Sequence, residues 1–151
     1  MKTKPPALIP ELDVSDLDLS LSTYVGVLGF ECVHQRPEER FAYLEREGAH
    51  LMLEEASGPG RRFHDGNLER PFGRGVNLQI EVSDVQALFA KTVAAGLNII
   101  VPMEERWYRQ EQLEAGNRQF VLADNDGYLL RFFEDLGQRR YDAIENQQLS
   151  R

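Results

Sequence analysis

Residues 77–82 read Asn-Leu-Gln-Ile-Glu-Val, aliphatic at every even position and polar at every odd one until the run ends. A period of two puts those sets on opposite faces of a strand. The same division runs through residues 9–14, where Leu12 and Val14 oppose Ile9, Glu11 and Asp13. It recurs at residues 50–54, where Leu51 and Leu53 oppose His50, Met52 and Glu54. After Val14-Ser15-Asp16 the period lengthens to that of a helix, with Leu17, Leu21, Tyr24, Val25 and Leu28 on one stripe. After Val82-Ser83-Asp84 it does so again, with Val85, Leu88, Phe89, Thr92 and Val93. Ser-Asp suits the orphan amides of a helix start, and Gly29 and Gly96 suit its left-handed stop. Further strands are predicted at 30–33, 41–45 and 50–54, and at 98–101, 118–122 and 128–133.

Each half therefore reads β-α-β-β-β, and the order of cap, period and stop is shared between the halves. The prediction is an α+β fold of two βαβββ modules, at about 7–56 and 75–136, forming a curved mixed sheet with a cleft. The modules make a single domain over residues 1–137. A connector at 57–74, rich in Gly and Arg and without periodicity, joins them. Residues 138–151 read as a polar tail, with Tyr141 and Ile144 available to tack it down.

Composition narrows the function classes. With 42% hydrophobic residues in 151, the chain has enough apolar material for one packed core. No apolar run approaches the roughly 20 residues of a membrane-spanning helix, and none suits a secretory leader. Cys32 is the single cysteine, which excludes an internal disulfide and a cysteine-based metal site and makes the cytoplasm the expected compartment. A net charge of −8 argues against nucleic acid as partner and is compatible either with simple solubility or with a cationic ligand.

The polar strand faces carry the candidate chemistry. Arg131 lies inside the apolar run Tyr128-Leu129-Leu130-Arg131-Phe132-Phe133, where an unpaired charge is costly. Two readings stand: an arginine fixed by Glu11, Glu54 or Glu81, or one on the wall of a ligand cavity. Trp107 and Tyr108, within Glu104-Glu105-Arg106-Trp107-Tyr108-Arg109, suit a stacking wall at a cavity mouth. Phe41, Tyr43 and Phe120 could line cleft or core. His34, His50 and His64 lack metal-ligand spacing and read as surface residues. No nucleophile elbow, P-loop or dinucleotide fingerprint is present.

The segments VSDLDLSLSTYVGVLGFE, FAYLEREGAHLMLEE, ERWYR and GNRQFVLADNDGYLLRFFEDLG, with the strand LQIEVSDV, carry a resemblance from about residue 8 to 137. Together they resemble the vicinal oxygen chelate superfamily of glyoxalases, bleomycin-resistance proteins and dioxygenases, and the bleomycin-resistance branch in particular. Asn125 stands where that pattern has proline. In the superfamily's enzymes a divalent metal sits on the first and last strands of each half. The matching positions here are Ile9, Met52, Asn77 and Arg131, a poor set for a hard cation. The resemblance thus implies no metal and no cofactor, and a homodimer that sequesters a bulky cationic aromatic antibiotic of the bleomycin type without catalysis. The residues nominated for ligand contact are Glu11, Met52, Glu54, Asn77, Gln79, Glu81, Trp107, Tyr108, Phe120 and Arg131. The alternatives are a metal-dependent glyoxalase- or dioxygenase-like enzyme and a binder of another metabolite.

Overall fold

The computed structural model describes residues 4–64 and 66–142. The first half runs β1 (Glu11–Val14), α1 (Leu17–Tyr24), β2 (Glu31–Arg36), β3 (Phe41–Arg46) and β4 (Ala49–Glu55), with one 3-10 turn at Pro37–Glu39. The second runs β5 (Asn77–Glu81), α2 (Val85–Ala94), β6 (Asn98–Gln110), β7 (Leu113–Ala123) and β8 (Leu129–Arg140). Each half builds a four-stranded mixed sheet, in the orders β1-β4-β3-β2 and β5-β8-β7-β6. The first strand of each half joins the last in parallel, and the remaining pairs are antiparallel. The chain is thus the α+β pair of βαβββ modules that its pattern predicts.

The helix starts are doubly secured. Asp16 accepts from the Leu19 amide at 3.1 Å and Asp84 from the Ala87 amide at 3.0 Å. A second carboxylate then arrives from the last strand of the same half. Glu55 accepts from the Leu17 amide at 2.9 Å, and Glu134 from the Val85 amide at 3.1 Å. Negative charge at a helix N-terminus is favourable, so each sheet's end also fixes where its helix begins. α2 stops where predicted, with Gly96 at φ 71° just past its cap, whereas α1 already ends at Tyr24 and passes through a turn at 25–28 before Gly29, at φ 78°.

The helix-bearing sides of both sheets share one apolar core. It includes Val14, Leu17, Leu28, Leu44 and Leu53 from the first half, and Val85, Phe120, Leu130 and Phe132 from the second. Phe120 is fully buried, 5.1 Å from the Phe89 ring of α2 and 5.7 Å from Phe132. Removing such a ring from water contributes about 2–3 kcal/mol. The apolar stripes of the helices are narrower than their sequence suggests, because Val25 and Val93 are exposed.

Three strands run to about twice their predicted lengths or more. β6, β7 and β8 continue into a three-stranded arm whose register runs out to Gln110↔Leu113 and Leu113↔Arg140. Polar residues hold strand geometry there because the backbone ladder and cross-strand pairs such as Arg118–Glu105, at 3.0 Å, need no apolar alternation. Residues 138–140, expected in the tail, are therefore the end of β8. Tyr141 does tack down, donating its amide to the Gln112 carbonyl at 3.0 Å beneath the Arg109 guanidinium. Ile144 lies outside the described residues.

The two halves are joined at the Asp124–Gly127 turn. Asp124 accepts from the buried Tyr24 hydroxyl at 2.7 Å and from the amides of Asp126 and Tyr128, both at 2.9 Å. Asp126 accepts from the amide and hydroxyl of Ser15, at 3.0 and 2.6 Å. Tyr128 donates its hydroxyl to the Asp13 carbonyl at 2.8 Å. Burial pushes the Asp124 carboxyl up, opposed by these three donors. Tyr24→Phe removes the one side-chain donor while leaving the ring packed. We expect a loss of about 1–3 kcal/mol in denaturant unfolding, with an unchanged slope.

Candidate functional site

Strand parity leaves each sheet with one face that no helix covers, and these open faces look away from the shared core. In the first sheet the register brings Glu11 opposite Met52, Asp13 opposite Glu54, Tyr43 opposite Met52 and Phe41 opposite Glu54. Acids from β1 and β4 therefore lie beside a row of aromatics from β3. The row continues onto β2, where His34 stacks on Tyr43 at 4.9 Å and the Arg36 guanidinium covers Phe41 at 3.9 Å. The Tyr43 hydroxyl meets His50 Nδ1 at 2.6 Å.

Glu54 is only 7% exposed, and Glu11 and Asp13 stand near it on the same face. Burial first, and then Glu11 and the nearby charge of Asp13, raise the Glu54 pKa above the ordinary carboxylate range; Arg62 opposes the rise.

The connector crosses this end of the sheet. Arg62 donates to the carbonyls of Glu55, Ala56 and Gly58, and it stands 3.9 Å from Glu54. His64 Nε2 meets Asp13 Oδ2 at 2.6 Å, so this histidine is a half-buried partner of the acid face, where a free surface residue was expected. Gly60 presses on Glu54: a Cβ there would fall 1.4 Å from its Oε1, so no side chain fits without moving the carboxyl. Glu11, Asp13, Arg61, Phe63, His64, Leu68 and Tyr128 enclose a cleft of about 280 Å³.

The second open face is built differently. Gln79 lies opposite Arg131, Arg131 opposite Val121, and Gln119 opposite both Phe133 and Glu104. Arg131 donates to Gln79 Oε1. None of the expected partners Glu11, Glu54 and Glu81 forms an ion pair with it, because the residue directly across β5 is an amide and Glu81 is displaced by a pair. Gln119, 3% exposed, donates to the Tyr108 hydroxyl at 2.7 Å and to Glu104 at 3.1 Å. Asn77, Gln79 and Glu81 are exposed along β5.

Two nominated residues change place. Phe120 is not a cavity wall: it shares its face with Leu122, and that face packs on α2. Trp107 neighbours Tyr108 on one strand, so the two side chains leave the sheet on opposite sides. Tyr108 reaches Gln119 on the open face. Trp107 instead lies over Gly116 on the other side, covered by the Arg139 guanidinium at 3.8 Å. The single tryptophan therefore belongs to the arm and does not share a face with Arg131. Asp13, Phe41, Tyr43, Arg62 and His64 were not nominated. For Asp13, Phe41 and Tyr43 the signal was present as strand parity; for the connector residues there was none.

A duplicated βαβββ frame carrying two open, chemically distinct sheet faces defines a class of small α+β proteins. The chain matches the family model of the Glyoxalase/Bleomycin resistance protein/Dioxygenase superfamily over residues 10–132 and belongs to that superfamily. Bleomycin resistance proteins from Geobacillus stearothermophilus and Staphylococcus aureus are 27% identical to it over 135 residues, 85% of this chain and 96% of theirs. TioX from Micromonospora sp. ML1 superposes with a TM-score of 0.68 at 26% identity, covering 85% of this chain and 98% of TioX. A protein of unknown function from Agrobacterium tumefaciens str. C58 does so at 0.61 and 28%, covering 90% and 95%.

The superfamily's metal positions do not fit a divalent ion here. Met52 and Arg131 occupy equivalent places, opposite Glu11 and Gln79. Arg131 has only donors, Ile9 has none to offer in either sense, and Met52 is soft. Among the described residues no group of three or more His, Cys, Asp or Glu could hold a metal ion.

The raised pKa of Glu54 has a definite sign. The native state binds its proton more tightly than the unfolded chain, so stability falls as pH rises from the unfolded pKa through the folded one. Glu54→Gln removes that fall. Its thermal midpoint at neutral pH should lie about 2–4 °C above the parent, corresponding to roughly 1 kcal/mol in a domain of this size. The gap should close below about pH 3, where the carboxyl is protonated in both states. A lower midpoint at neutral pH would show an ionised Glu54 held by Arg62.

Proposed function

We propose that this chain is a non-catalytic binding protein that sequesters a bulky cationic aromatic compound of the bleomycin type. The observation that carries the reading is the open face of the first sheet, where Glu11, Asp13 and Glu54 lie beside Met52, Tyr43 and Phe41. Acids attract a cationic tail and aromatic rings accept a planar group by stacking. The similarity to bleomycin resistance proteins supports the same reading.

The working unit in this proposal is a homodimer. β2 and β6 are edge strands, with β2 exposed along its whole length, and both sheets keep an uncovered face. A second copy would shield such edges and close a cleft over an open face. We take the compartment to be the cytoplasm, where the exposed Cys32 thiol remains reduced.

Isothermal titration with bleomycin tests the proposal. Saturable binding at micromolar drug is expected, weakened about tenfold in a Glu11→Gln/Glu54→Gln double variant and by added salt. Affinity should also fall as the pH drops through the raised pKa of Glu54, since a protonated carboxyl no longer attracts a cation. No saturable heat up to about 100 μM drug would overturn it, that ceiling being far weaker than useful sequestration. Tryptophan quenching is the wrong readout, because Trp107 lies away from this face.

A further inference from the structure

From the second open face we infer an oxyanion subsite centred on Arg131, which would take the carboxylate, sulfonate or phosphate of an otherwise apolar organic ligand. Arg131 projects from the middle of β8 between Gln79 and Val121, with Leu129 and Phe133 two residues away on the same face. Its one described hydrogen bond goes to the neutral amide oxygen of Gln79. Its Nε is enclosed and has no acceptor, and no carboxylate lies within ion-pair distance among the described residues. In a chain with eight excess negative charges, a guanidinium with an enclosed Nε and no carboxylate beside it leaves a positive charge for an anion to meet.

A second unmet group lies diagonally across the same face. Gln119 is buried, and both of its described bonds use Nε2, to Tyr108 and Glu104. Those two acceptors set the orientation of the amide, which leaves Oε1 buried with no donor. Buried polar groups are rarely left unsatisfied in a native structure. Arg131 suits the anion of such a ligand and the Gln119 acceptor suits a hydroxyl or N–H beside it, while Val121, Leu129 and Phe133 flank the apolar body. The apolar flank lowers the local dielectric and strengthens a charge-assisted bond to the guanidinium. Gln79 holds the guanidinium plane in place for it.

The inference rests on the reading of the chain as a small-molecule binder, and it adds that the compound carries an acidic group. The same counter-charge could come from a carboxylate of a second copy of the chain, so the test separates the two sources. Anilinonaphthalene sulfonate and the neutral N-phenylnaphthylamine share a ring system and differ in the anion. Both are titrated by fluorescence against the parent, Arg131→Gln and Arg131→Lys, with sedimentation velocity on each protein. Expected is a loss of about tenfold in sulfonate affinity for Arg131→Gln, partial retention for Arg131→Lys, and less than about twofold change for the neutral probe. The sedimentation coefficient should not change. Equal losses for both probes, or none, overturn the subsite. Dissociation of Arg131→Gln into a smaller species also overturns it and assigns the counter-ion to the partner chain. Binding of both probes without any dependence on Arg131 removes the subsite but keeps the binder. Failure of both probes on the parent removes the subsite, while bleomycin titration judges the binder separately.

Discussion

The hydrogen bond between the Tyr24 hydroxyl and Asp124 is the constraint from which the arrangement of the two modules follows. It crosses from the end of the first helix to the turn that launches the last strand, within a core that offers no water as a substitute partner. Around it, Asp126 holds Ser15 at the start of α1, and Tyr128 holds the end of β1. This turn and the tyrosine after it therefore fix both ends of the first half's helix and the end of its opening strand. An aspartate that did not find those donors would be a buried charge costing several kcal/mol. The turn is consequently both the join between modules and the reason that β8, and with it Arg131, begins where it does.

Within each module a different carboxylate does the aligning. Glu55 and Glu134 sit at equivalent places where the parallel pairings with β1 and β5 finish, and each bonds the first amide of its helix. The helix then lies across the aliphatic side of its own sheet, and the other side is left free. Two open faces are thus a direct result of covering each sheet once. Their chemistry is set by whatever the odd positions of the opening strand and their cross-strand neighbours happen to carry: acids and aromatics on one, an arginine between amides and apolar groups on the other.

Most of the frame could be read from local signals. Alternation at 77–82, the Ser-Asp starts and the Gly96 stop are short-range, and each appears in the structure where the pattern put it, while α1 ends at Tyr24, short of Gly29. The arm formed by β6, β7 and β8 escaped because ladder hydrogen bonds sustain it without apolar alternation, and periodicity is blind to them. Phe120 was legible: it shares parity with Leu122, which marks the core side of β7. Trp107 was misjudged because a charged sequence context says nothing of which side of a strand a ring takes. The Glu11–Glu54 pair and the contact of His64 with Asp13 depend on neighbours 43 and 51 residues apart in the chain, brought together by the register and by the connector's path. No sequence spacing announces such contacts.

Met52 and Arg131 occupy corresponding seats in the two modules, one a neutral thioether and the other a cation. A duplicated fold allows this divergence, since each copy preserves the scaffold while its partner seat drifts. Symmetric seats holding alike residues would favour a ligand with its own internal symmetry. Unlike seats give the two faces different appetites, so each takes its own chemistry, and selection can retune one without disturbing the other.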